Sequence, residues 1–160
     1  MDSAAAVTIG ILSGSVGGAL VTAGWRAIET RSTRAHERQQ QWRQWQQDAA
    51  AELATRLGGT TNAVENAVRR VETAPEDRAT VDAVAFARVL VDETSLPYER
   101  VKLLFGDADG SEGASEAIRA LREAVERLEA RDAAAARVAA SSAADHAAAF
   151  AAAARAQLRV

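Results

Sequence analysis

Hydrophobic and polar positions divide the chain into three stretches of different character. From Ala4 to Gly24 the residues AAAVTIGILSGSVGGALVTAG run for 21 positions without Asp, Glu, Lys, Arg or His. A bilayer core about 30 Å thick needs about 20 helical residues, so this run, closed by Trp25, predicts a transmembrane helix over residues 1–25. From there to Gln41 the only apolar residues are Ala27, Ile28 and Ala35. A helix that is polar all round bridges through solvent, and residues 26–41 are expected to form an Arg-rich stalk. Beyond it apolar positions return with a helical period. Ala50, Leu57, Val64 and Val71 are seven apart, with Leu53 and Val68 beside them, which predicts a helix interrupted or carried through at Gly58 and Gly59, where Asn62 and Glu65 resemble a capping box.

The later helices follow the same logic. Pro75, with Glu76 and Asp77 in a new first turn, predicts the next helix start, and Val81, Val84, Phe86, Val89 and Leu90 are its expected buried residues. Pro97 kinks or restarts that helix, Tyr98 to Phe105 adds Val101, Leu104 and Phe105, and Gly106 fits a helix end. Ala114, Ile118, Leu121, Val125 and Leu128 form a heptad stripe. The last helix carries Phe150, Ala154 and Leu158, with Ser142 and Asp145 placed to cap its start and the preceding turn falling between Arg131 and Ser142. The fold class is therefore expected to be all-α, with the span continuing into the stalk and residues 42–160 forming an antiparallel helical bundle. Its expected interior is Leu53, Leu57, Val64, Val84, Phe86, Leu90, Leu104, Ile118, Leu121, Val125, Leu128 and Phe150.

Charge orients the expected span. Only Asp2 and the amino terminus precede it, whereas Arg26, Arg31, Arg34, Arg38 and Arg43 follow. Positive residues beside a span stay inside, so the expectation is a single-pass protein of the inner (plasma) membrane with its N terminus outside and its C-terminal domain cytoplasmic. Cleavage after Val21, Thr22 and Ala23 is the rival, but a signal peptide wants a positive n-region. Arg26, Arg31 and Arg34 are the candidate contacts to lipid headgroups. Within the run, Ala6, Gly10, Gly14 and Gly18 recur every four residues and form a candidate face for self-association between spans. The same small residues make insertion marginal.

Composition narrows the chemistry. The chain has no cysteine, which excludes disulfides and thiol-ligated metals. From Asp48 onward there are 14 basic and 19 acidic residues, a balance that gives a nucleic-acid-binding face no electrostatic support. The glycines before Trp25 do not make a dinucleotide loop, because Leu12 stands where the pattern needs Gly. In the segment from Asp107 to Gly113, Glu112 and Ile118 stand where a calcium loop needs Gly and Glu. His36 and His146 are isolated, and neither follows a Glu by three as a di-iron bundle would want. No catalytic, cofactor-binding or metal-binding residues are assigned, no cofactor is expected, and the chain reads as something other than an enzyme.

The order of an N-terminal span, an Arg-rich stalk, a helix closing on Val101, Lys102, Leu103, Leu104, Phe105 and Gly106, and a last helix carrying Phe150, Arg155 and Leu158 resembles uncharacterised small membrane-anchored helical proteins of actinobacteria. The resemblance implies a layout and carries no activity or site residues. The functional expectation is a membrane-tethered helical interaction or scaffold protein, with membrane lipid, an unidentified protein partner and a homo-oligomer as its expected partners and no nucleic acid. The alternatives are a phage or prophage membrane protein of the holin type and a membrane-bound enzyme whose site is not recognised.

Overall fold

In the computed structural model, residues 3–106 and 111–158 are described, with side chains from residue 36 to 106 and from 111 to 157. Five helices account for the regular structure among them: α1 (Ser3–Thr73), α2 (Arg78–Glu93), α3 (Ser95–Phe105), α4 (Glu112–Glu129) and α5 (Ala133–Leu158). The contacts divide the chain into two compact units, Met1–Trp42 and Arg43–Val160. In the first unit the described side chains, from His36 to Trp42, are all exposed. The second unit contains the core.

The membrane expectation is corrected here. Among the described residues no helix is long and apolar enough to cross a membrane, so the single-pass anchor and the plasma-membrane location with an external N terminus are withdrawn. Lack of charge is a different property from apolarity: nine of the 21 residues from Ala4 to Gly24 are Gly, Ser or Thr, which gain little on transfer to hydrocarbon. The self-association face Ala6, Gly10, Gly14 and Gly18 and the headgroup contacts Arg26, Arg31 and Arg34 lie outside the residues whose side chains are described.

Cross-helix pairings give the topology of the second unit. Along α1, Gln46 donates to the Leu104 carbonyl at 2.8 Å, Glu52 meets Arg100 at 3.0 Å and Arg56 meets Glu93 at 3.3 Å. Partner numbers fall as α1 numbers rise, so α2 and α3 together run antiparallel to α1. Arg88 pairs with Glu129 and Arg122 reaches Ser95 at 3.4 Å, which sets α4 antiparallel to both. The short link Ala130 to Asp132 turns α5 back along α4, and Arg137 pairs with Glu72 to return α5 to α1. The result is an up-down four-helix bundle whose second helix is broken at Thr94.

Each break has a local cause. At Thr94 the hydroxyl is buried and donates to the Val91 carbonyl at 2.6 Å, and Pro97, without an N–H, sits in the first turn of α3 where none is needed. Residues 75–77, expected in the first turn of a helix, instead form the turn before it. The helix begins at Arg78, and Thr80 is buried with its hydroxyl on the Ala74 carbonyl at 2.8 Å. The final turn comes earlier than Ser142. The Asp132 N–H bonds the Arg127 carbonyl at 2.9 Å and the Arg131 N–H bonds the Leu128 carbonyl at 3.0 Å, the paired closure of a Schellman motif. Arg131 takes the left-handed position with φ 59°. Asp132 then caps α5, its carboxylate accepting from the Ala135 N–H at 3.0 Å, whereas Ser142 lies inside the helix. Nor is there a restart at Asn62: α1 runs through Gly58 and Gly59, held by buried Leu53 and Leu57 before them and Val64, Ala67 and Val68 after them.

The interior is built largely from small residues. Among the described residues, thirteen of the 25 buried apolar side chains are alanine, so the helix backbones approach closely. One close approach is at Gly113, where a Cβ would stand 3.1 Å from the Phe150 nitrogen and 3.3 Å from the His146 oxygen. Leu53, Leu57, Leu121, Leu128, Val64, Val101 and Phe150 supply the larger buried volume.

Candidate interaction surface

Filling the core with alanine leaves several large apolar side chains outside it. Phe86, expected in the core, is 59% exposed, and Val81 and Val89 are more than half exposed; α2 buries Thr80, Ala87 and Val91 instead. Val84, Leu90 and Leu104 are half-buried rather than enclosed. The reason is rotational. Apolar residues surround α2, so their spacing does not select one face, and the close approach made possible by Ala87 does. Leu96 and Leu103 on α3 are each 82% exposed, and Val138 on α5 is 72% exposed.

Apart from Val138, the exposed residues fall on two faces, one on α3 and one on α2. Leu96 and Leu103 are seven apart, two turns along one side of α3, at the end of the unit where Gln46 fastens α1 to the Leu104 carbonyl. Trp45, one residue from that bond, is 52% exposed. The second face is on α2. Val81, Ala85 and Val89 are four apart and all exposed, and Phe86 lies on their flank. Beyond Phe86 and Leu90, an open groove of about 430 Å³ runs between α2 and α1 over Gly59, Ala63 and Asn66.

Exposed ion pairs border both faces. Glu52–Arg100 and Arg56–Glu93 join α1 to α3 and α2, and Arg88–Glu129 joins α2 to α4. The hydrogen bond and charge of Glu129, with a further contribution from Asp92, raise the Arg88 guanidinium above its ordinary pKa. Arg88, paired with Glu129, stands beside the α2 face. Among the described residues no group of three or more His, Cys, Asp or Glu could hold a metal. His36 is exposed on α1 and His146 half-buried on α5, with no cluster around either.

The chain matches no known protein-family model, and neither curated proteins nor solved structures gave a match.

Proposed function

We propose that the chain is a helical interaction module, which presents the α3 face of its bundle to an apolar surface on a protein partner. The observation that supports this is the exposure of Leu96 and Leu103, each 82% in solvent and two turns apart on one side of α3. Solvating large apolar groups forgoes about 1.5 to 3 kcal/mol for each side chain that could have been buried. Clustered exposure of that kind marks interaction sites. Glu52, Glu99 and Arg100 rim the face with both signs of charge and orient a partner without adding much affinity. The holin-type and membrane-enzyme alternatives both require a span, and no described helix is long and apolar enough to form one.

Site-specific photo-crosslinking in the producing cells tests the reading. A crosslinker at Leu103 is expected to trap a discrete protein, the same crosslinker at Val138 on α5 is not, and Leu96→Glu should abolish the Leu103 product. Absence of any Leu103-specific product would sink the proposal.

A further inference from the structure

The α2 face carries a pattern that reads alike in both directions. Taken from Ala85, Val81 and Val89 stand four residues to either side, Asp82 and Arg88 three, and Arg78 and Asp92 seven. The apolar positions are symmetric about Ala85 and the charges are antisymmetric. At about 100° per residue, all seven fall within about 60° of the Ala85 direction on the helix, and all seven are exposed. Such a face is complementary to itself when turned end for end, which is the requirement of an isologous two-fold interface.

We propose that a second copy of this chain packs on α2 as an antiparallel helix pair, with the two-fold axis passing at Ala85. In that arrangement Val81 lies beside Val89 of the second copy, and the small Ala85 side chains let the helices approach. Arg78 stands at the height of Asp92 of the second copy, and Asp92 at the height of its Arg78. Asp82 and Arg88 border the contact on opposite flanks. Phe86, one residue from the axis, meets the Phe86 of the second copy about 3 Å further along the helix direction on the same flank, within reach for an aromatic pair.

A second observation points the same way. Arg78 is the first residue of α2 and Asp92 is one from its end, so each charge sits where its own helix dipole disfavours it. Among the described residues neither has an ion-pair partner within 4 Å, Asp92 acting on Arg88 only at longer range and the neighbouring Glu93 being engaged by Arg56. An antiparallel copy brings to each end both the opposite side-chain charge and the opposite dipole end. Charge placement that is unfavourable in the monomer thus becomes complementary in the pair. One helix pair makes a small interface, so exchange between monomer and dimer is expected to be fast.

The absence of cysteine makes a direct test available, because a single introduced thiol has no competitor. In the full chain, Ala85→Cys places two sulfurs at the axis, with Cα atoms inside the range that a disulfide spans. Mild oxidation should give a disulfide dimer of twice the 16.9 kDa chain mass at least tenfold faster than Val138→Cys, an exposed control on α5. Charge variants then separate this geometry from general stickiness. In the Ala85→Cys background, Arg78→Asp and Asp92→Arg should each slow crosslinking several-fold, and the two together should restore it. These positions are exposed and the variants are expected to fold, which circular dichroism checks. Equal rates at 85 and 138, or failure of the double exchange to recover the rate, would overturn the proposal. Neither result bears on the α3 face, which the Leu103 crosslink tests separately.

Discussion

Glycine illustrates how one substitution changes sign with its surroundings. At Gly58 and Gly59 an added Cβ meets nothing within 4 Å, and both lie in the interior of an unbroken helix. Gly58→Ala and Gly59→Ala are each expected to stabilise the fold by about 0.5 to 1 kcal/mol, read as a higher denaturant midpoint with an unchanged slope. At Gly113 the atoms facing the new Cβ belong to the backbone of α5, which cannot swing aside. Gly113→Val is expected to destabilise by about 1 to 3 kcal/mol in the same measurement. In the sequence the three look alike. A helix-breaking reading of Gly58 and Gly59 weighs propensity alone, and here the packing of Leu57 and Val64 on either side outweighs it. The role of Gly113 depends on Phe150, 37 residues later, and no local signal announces it.

Among the elements, α4 was the most legible and the turn after it the least. Ala114, Ile118, Leu121, Val125 and Leu128, expected as one stripe, are all buried, because Arg and Glu occupy the rest of that helix and leave a single apolar face. The opposite holds for α2, where Val81, Phe86 and Val89 are as apolar as anything buried. Its buried face is chosen by Thr80 and Ala87, residues with little hydropathy signal. The turn into α5 was hidden because its left-handed residue is Arg131 rather than Gly, and Asp132 serves two helices, closing α4 with its N–H and capping α5 with its carboxylate. Asp132→Ala keeps the first function and removes the second. A loss of about 1 kcal/mol is expected, with hydrogen exchange quickened first in residues 133–136.

For the whole molecule, the helical class and the bundle of its second unit are legible in the period of apolar residues, whereas missing charge suggests a membrane span that no described helix is apolar enough to form. The exposed apolar faces of α2 and α3 could not be read in advance, since exposure on a helix is decided by what packs on its other side. Leu121, fully buried in the core, tests the bundle. Leu121→Ala in the full chain is expected to cost about 2 to 5 kcal/mol, and an unchanged melting curve would contradict the packing described. The alanine interior also bears on alignment. Large interdigitating side chains act as teeth that fix how far one helix can slide along another, and a methyl-lined seam has shallow teeth. Lengthwise alignment must then come from features at the ends and rim: the Gly113 contact with Phe150 at one end of the α4 and α5 hairpin, the Arg131 turn at the other, and the pairs from Arg137 to Glu72 and Arg100 to Glu52 along the edges. Ion pairs that add little to stability thus act as index marks, telling otherwise smooth helices where to stop.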